Sequence, residues 1–323
     1  MEGVLMLHYF KLNCDKLVSQ SEQTGSTLWI HVEQPTSEEI HLLTKQYELP
    51  KDYLTSILDD AENSRAEGLQ QVTFKRSVLL LLQFPLVSKS PSGYEEFFTY
   101  PLSLILTPQK QIITVSNYPL PFMNSFFQQL FTHDDTEAVM HLFLSFLWQI
   151  VISFNKDLMS IKEQLDSLEQ QIRVSTENNQ LFQIMDIQKS LVLFDTATTA
   201  NFDTLKKLEM APFFQKNHAY ENHLHDILIE TKQAMTSANI HLKFANQMND
   251  TFSAVVSNNQ NNIMKILTSL TIVLTIPTIV SGLYGMNVSL PIENRADAFW
   301  ILLAVTLVIC YLTIRYLKKK GLL

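Results

Sequence analysis

Between Gln247 and Thr278 the chain places Gln247, Asp250, Ala254, Ser257, Asn261, Met264, Thr268, Thr271, Thr275 and Thr278 at alternating steps of three and four. On a helix such steps share one face, and a coiled-coil seam there would be rich in Leu or Ile. Nearly every member here is polar or small instead. Hydroxyls inside an apolar segment can act as packing glue between helices. Four aligned threonines, continued by Asn261 and Asp250, fit a wetted wall better. In a symmetric ring of helices each position becomes a ring of oxygens that can coordinate water around an ion. Met264 and Leu267 break the polarity of the stripe. Beyond its far end stands Asn287, whose amide offers an acceptor oxygen and two donors. A ring of such amides can hold a hydrated ion without stripping it, where a carboxylate ring would hold it more tightly and slow its exit.

The elements that must position this stripe are two uncharged runs, Ile266 to Tyr284 and Ala298 to Ile314, joined by a short polar loop at 285–297. The first is long enough to cross a bilayer as a helix, and the pair reads as a hairpin through the membrane. Two spans are too little membrane for a transporter working as one copy, so a pore built from several copies is expected. Arg315 and Lys318 to Lys320 follow the second span, and Lys265 precedes the first. The loop, with Glu293, Arg295 and Asp297, has no positive excess. The positive-inside rule then puts both termini in the cytoplasm and Asn287 outside. Met1 to Leu12 show strand-like alternation rather than a basic region and an apolar core, so no signal peptide is expected. The two cysteines, Cys14 and Cys310, fall in the cytoplasmic part and the second span, and no disulfide is expected.

The remaining chain divides by composition. Residues 1–127 hold short β-rich runs: Val4–Phe10, Thr27–Val32, Leu69–Phe74, Ser77–Leu86, Phe97–Leu106 and Gln111–Val115. Thr36 and Glu39 have the spacing of a capping box and open a helix between the second and third runs. Residues 128–263 read as a helical stalk, because apolar residues recur at three- and four-residue intervals through Leu142–Ile172, Leu181–Leu208 and again after Phe214. The first two segments form antiparallel helices with a turn near Val174–Asn179. The third is one helix from about Gln215 to Leu283, roughly 100 Å at 1.5 Å per residue. A lone helix of that length needs other helices beside it, including copies of itself. Residues 264–323 then make the transmembrane hairpin and basic tail. The expected fold class is an α+β membrane protein with an α/β sandwich domain, a helical stalk and two C-terminal spans.

The stretches Asn261-Asn262-Ile263-Met264-Lys265-Ile266-Leu267-Thr268, Pro277-Thr278 and Tyr284-Gly285-Met286-Asn287 resemble the CorA family of magnesium channels. Pro291 and Glu293 in the loop, with the Lys318-Lys319-Lys320 tail, extend the likeness. Pro277 lies one residue nearer the tripeptide than in the usual family pattern. The resemblance implies a homopentamer in the plasma (inner) membrane, with Mg2+ as substrate and as a regulatory ligand. It implies a selectivity filter at Gly285, Met286 and Asn287 and a hydrophobic constriction at Met264 and Leu267. Mg2+ gives up its waters reluctantly, which suits an amide filter. By its spacing from the tripeptide, Asp226 matches the stalk aspartate that binds regulatory Mg2+ between subunits. The acidic pair that partners it in the family is replaced by Thr55-Ser56 ahead of Ile57-Leu58. Asp59, Asp60 and Glu62 follow directly and are the substitute ligands to test.

Two other readings stay open. The same architecture could carry Zn2+, Co2+ or Ni2+, or the chain could be a membrane-anchored helical scaffold without transport. The intact Gly-Met-Asn favours Mg2+, and the threonine seam speaks against the scaffold. The formal net charge is −8, and most acidic residues along the stalk read as solvated surface. No phosphate-binding Gly-rich loop with Lys-Ser/Thr is present, so no nucleotide partner is expected. His223 and His225 point to different sides of a helix, and no Cys/His cluster has zinc spacing. Basic residues are too scattered for nucleic acid. No enzymatic chemistry is expected.

Overall fold

Strand β5 (Val78–Lys89) is buried continuously from Val78 through Pro85, which accounts for an apolar run with almost no alternation. Such runs arise where a strand is covered on both faces. In this computed structural model, described over residues 7–13, 16–71, 75–91, 93–129, 138–175, 177–215, 218–288, 291–292 and 295–322, β5 sits in a mixed sheet. Its other members are β1 (Leu7–Asn13), β2 (Lys16–Gln20), β3 (Trp29–Glu33), β4 (Arg65–Glu67), β6 (Glu95–Leu106) and β7 (Ile112–Ser116). The order is β2-β1-β3-β7-β6-β5-β4. Among the described residues only β3 and β7 pair in parallel, with Trp29 opposite Ile112.

Period-two alternation assigns the two faces of β3. Ile30 and Val32 pack with Leu79, Leu81, Ile113 and Val115 against Ile40, Leu43 and Tyr47 of α1 (Ser37–Tyr47), and against Tyr53 and Leu54 of α2 (Asp52–Thr55). Trp29 turns the other way. Its ring meets Phe126 of α3 (Met123–Phe127) edge-on at 5.5 Å and Phe146 of α4 (Ala138–Val174) at 5.9 Å. Farther along that face Phe97 meets Phe194 of α5 (Asn178–Glu209) at 5.9 Å. Each such buried side chain contributes on the order of 1.5–3 kcal/mol. The result is the expected sandwich, helices on both faces of one sheet. The capping box is present: Glu39 N–H donates to Thr36 Oγ1 at 3.3 Å, and Thr36 N–H donates to Glu39 at 2.8 Å.

Two local expectations change. Strand β2 is an addition. The described part of the run expected over Leu69–Phe74 is a turn just after β4 rather than a strand, and residues 72–74 lie outside the described ones. The cause is Gly68, at φ +76 and so close to Ser77 that a Cβ would stand 2.7 Å from its carbonyl oxygen. Gln71 then staples the turn, donating to the Gly68 and Arg76 carbonyls at 2.8 Å each. Residues 4–6 of the first expected strand, and Cys14, also lie outside the described residues.

Beyond Leu81, where β4 ends, the main chain of β5 is closed by a side chain. The Asn201 amide on α5 accepts from Gln83 N–H at 2.9 Å and donates to the Gln83 carbonyl at 2.8 Å. Its oxygen also accepts from the Ser64 hydroxyl at 2.7 Å. Leucine at 201 would leave two buried main-chain groups unpaired, each costing about 1–3 kcal/mol. Asn201→Leu is therefore expected to lower the stability of the soluble part by about 2–4 kcal/mol in denaturant unfolding. An unchanged midpoint would show that Asn201 is dispensable.

The turn between α4 and α5 falls at Val174–Asn178, within the expected segment. Helix α6 runs His218–Tyr284 and α7 runs Ala298–Lys319. Two compact units result, Met1–Asn249 and Asp250–Leu323. Among the described residues three helices, α4, α6 and α7, are long and apolar enough to cross a membrane. In α4 the most apolar stretch is 56% buried inside the protein, against 6% in α6 and in α7. Helix α4 is thus a core helix, whereas the apolar parts of α6 and α7 need a covering the single chain does not supply.

Candidate functional site

Asp250, Asn261, Met264, Leu267, Thr268, Thr271, Thr275 and Thr278 are all exposed on α6. Three of the four threonine hydroxyls are already committed as donors. Thr271 bonds the Leu267 carbonyl at 2.9 Å, Thr275 the Thr271 carbonyl at 2.8 Å, and Thr278 the Leu274 carbonyl at 3.0 Å. Each oxygen therefore faces outward as an acceptor only. The waters around a cation point their hydrogens away from it, so acceptor oxygens are what a hydrated cation needs from a wall.

Pro277 stands within α6 and cannot donate to the carbonyl of Val273. The Cys310 thiol on α7 takes its place, 3.8 Å from that carbonyl oxygen. In a low-dielectric setting such re-pairing is what makes a helical proline tolerable. Ser269, 2% exposed, donates to the Leu322 carbonyl at 2.7 Å and ties α6 to the residues after α7.

Helix α6 ends at the tripeptide. Gly285 N–H still bonds the Ser281 carbonyl at 2.9 Å, and Met286 N–H bonds Leu283 at 3.2 Å. The φ of Gly285 is not among the positive ones, and what this glycine supplies is room. A Cβ there would stand 3.2 Å from the Ser281 carbonyl oxygen. Tyr284 holds the loop back by donating its hydroxyl to the Pro291 carbonyl at 3.0 Å. Met286 and Asn287 are exposed beyond this turn. Arg295 is neutralised within the loop by a two-point contact with Asp297 at 3.0 and 3.1 Å. Glu293 lies outside the described residues.

The expected regulatory residues fall into separate places within one chain. Arg65 gathers Glu62 at 2.6 Å, Glu67 at 2.8 Å and Asp52 at 3.8 Å, and donates to Ser56 at 2.8 Å. Thr55 and Ser56 turn their hydroxyls onto the Lys51 and Asp52 carbonyls. Asp60 accepts from the Tyr118 hydroxyl at 2.9 Å, and this bond pushes the Tyr118 pKa up to about 12. Asp59 accepts from Ala61 N–H at 3.0 Å.

Asp226 instead lines a cavity of about 160 Å³ with Gln129, Ser145, Trp148 and His223. Burial, then nearby His141, lowers the His223 pKa, while Asp226 raises it. His225 points elsewhere, 3.5 Å from Glu209. Among the described residues no three His, Cys, Asp or Glu side chains converge on a metal position. Sequence reasoning passed over His223 because it was weighed against His225; its spacing of three from Asp226 was the usable signal.

A family model, described as CorA-like Mg2+ transporter protein, matches residues 24–319. The cobalt/magnesium transport protein CorA of Methanocaldococcus jannaschii is 23% identical over 311 residues, covering 95% of this chain and 94% of that one. The complete structure of the CorA magnesium transporter from that organism superposes with a TM-score of 0.77 at 20% identity, covering 100% of both chains. The ZntB cytoplasmic domain from Vibrio parahaemolyticus gives a TM-score of 0.56 at 11% identity, over 79% of this chain and 97% of that one. The last two likenesses speak to the fold.

Proposed function

The chain belongs to the CorA-like Mg2+ transporter protein family, and on that premise we propose that it is a channel for hydrated Mg2+. The observation that carries this reading is the exposed threonine stripe, whose back-bonded hydroxyls leave a line of acceptor oxygens leading toward Asn287. Several copies, five by family likeness, enclose the pore, with Asn287 at the outer mouth and both termini in the cytoplasm of the cell whose plasma membrane it spans. Gly285 sets the helix end, and Met286 and Asn287 form the filter. The membrane potential drives entry, at about 2.3 kcal/mol per charge per 100 mV.

Cytoplasmic Mg2+ closes the channel by bridging Asp226 of one subunit to Asp59, Asp60 and Glu62 of the next. Since Glu62 already shares Arg65, the two aspartates carry most of that bridge. Unpaired, these carboxylates repel, and a divalent ion between them favours the closed ring. Proteoliposomes holding the purified chain should take up Mg2+ faster as an inside-negative potential is imposed. Vesicles no leakier than protein-free ones would dismiss the channel and leave a membrane-anchored scaffold.

Met264 and Leu267, 58% and 54% exposed, interrupt the acceptor line with apolar groups. Apolar rings close a pore by dewetting. Met264→Ser is expected to raise flux, or to weaken its inhibition by cytoplasmic Mg2+, in the same vesicles. Conduction and inhibition like the parent protein's would move the constriction elsewhere.

A further inference from the structure

We infer that the tail end of the α6–α7 hairpin is a binding surface for anionic phospholipid headgroups, whose phosphates are held by Arg315, Lys318, Lys319, Lys320 and Lys265. The inference rests on the reading of α6 and α7 as spans with the tail in the cytoplasm, and adds the lipid class that the tail selects. All five side chains are exposed. From residue 251 to 292, and again from 298 to 323, they are the only charged side chains. Asp250 stands fifteen residues before Lys265, about 22 Å along the helix, and Asp297 stands eighteen before Arg315, about 27 Å. Screening sets in over about 8 Å at physiological ionic strength, so neither carboxylate neutralises the cluster.

The basic turn is fixed in place. Helix α7 closes at Gly321, with φ +69; Leu322 N–H donates to the Leu317 carbonyl at 3.1 Å and Gly321 N–H to the Lys318 carbonyl at 3.2 Å. That pair of bonds is a Schellman turn, which suits glycine because other residues are strained in its left-handed conformation. The turn sends the chain back against α6, where Ser269 donates to the Leu322 carbonyl at 2.7 Å. Ser269 lies one helical turn from Lys265, so the same bond brings the Lys318–Lys320 turn to the level of Lys265. Along α7, Val308, Leu312, Arg315 and Lys319 follow at steps of four, three and four, so one exposed face passes from apolar to basic. Tyr311 and Tyr316 are exposed beside it, as in the aromatic belts at membrane–water interfaces. A free anion would use the charges alone. A phospholipid uses the whole face, its acyl chains along Val308 and Leu312 and its phosphate on the cations.

The experiment places a reporter on this face: Tyr316→Trp with Trp300→Phe, in the full-length protein reconstituted into vesicles. Trp29 and Trp148 belong to the soluble part and give a constant background. Brominated acyl chains quench the reporter, and competition between brominated phosphatidylglycerol and plain phosphatidylcholine, then the reverse, gives the relative affinity of the two lipids. Phosphatidylglycerol is expected to be preferred by at least about fivefold, the ratio that about 1 kcal/mol for a single Lys or Arg near a charged surface corresponds to. Arg315→Gln combined with Lys318→Gln, Lys319→Gln and Lys320→Gln should bring the ratio to within about twofold of one. The same collapse is expected without those substitutions at about 1 M salt, where the screening length falls to about 3 Å. Ser269→Ala, which keeps every charge but unties the tail, should lower the ratio by at least about twofold. An unchanged ratio there would overturn the part assigned to the tie. Equal affinity of the two lipids in the reporter protein, or a preference that survives both the Gln substitutions and the salt, would overturn the surface. A preference abolished by millimolar inorganic phosphate at constant ionic strength would assign the cluster to a soluble anion and overturn the lipid. No quenching by either lipid would overturn the reading of α7 as a span, on which the inference stands.

Discussion

Asn287→Ala is expected to abolish Mg2+ uptake while leaving the oligomer intact. The exposed amide lies past the last turn of α6, outside the hydrogen bonds that hold the loop. Those bonds, Gly285 to Ser281 and Tyr284 to Pro291, do not involve its side chain, so the mouth keeps its shape in the variant. What is lost is a ring of acceptor oxygens for the outward-pointing hydrogens of a hydrated ion. With about 1 kcal/mol per amide–water bond, the proposed ring of five copies would lose about 5 kcal/mol, or between three and four powers of ten in occupancy of the outer site. Asn287→Asp should fail differently: a carboxylate ring holds the ion harder, and flux falls through slow release. Uptake in vesicles, read beside size-exclusion chromatography, separates the two effects. Parent-like rates in Asn287→Ala would remove the amide from the filter.

Much of this architecture was legible because its signals are periodic or compositional. The α6 stripe follows from steps of three and four, the hairpin from two uncharged runs, and the α1 start from Thr36 and Glu39. What the sequence concealed depends on partners far away along the chain. That Cys310 would meet the carbonyl freed by Pro277 needs the packing of α7 on α6. That Asn201 would close β5 needs α5 laid across the sheet. The Leu69–Phe74 run shows the opposite failure. Its residues look strand-like, yet the chain turns at Leu69 and Gln70, directly after Gly68 approaches Ser77 closely. Spacing from the tripeptide singled out Asp226, but its cavity mates Trp148 and Ser145 came only from three dimensions.

Asp226→Ala is expected to leave the channel open at Mg2+ concentrations that shut the parent protein. Among the described residues no cation forms a salt bridge to Asp226, which lines a cavity, and no cluster of three metal-binding side chains forms there. Its charge is therefore available to an ion shared with a neighbouring subunit. The opposing group is weakened at its centre, because Glu62 spends its charge on Arg65 and Ser56 accepts from the same guanidinium. On the proposed bridge between subunits, Asp59 and Asp60 would meet Asp226 with few other anions to help, so a site with more carboxylates would bind Mg2+ more tightly. A ligand shifts a two-state equilibrium only by its differential affinity for the states. Per subunit that difference is modest, yet a closed ring sums it over every interface, so removing one carboxylate per chain removes the whole effect. Asp226→Ala should also lose the protection that Mg2+ gives the soluble part against proteolysis. Arg65→Gln should act oppositely, since freeing Glu62 strengthens the bridge and lowers the Mg2+ concentration that closes the pore. Unchanged inhibition and unchanged protection in Asp226→Ala would place the Mg2+ sensor elsewhere in the chain.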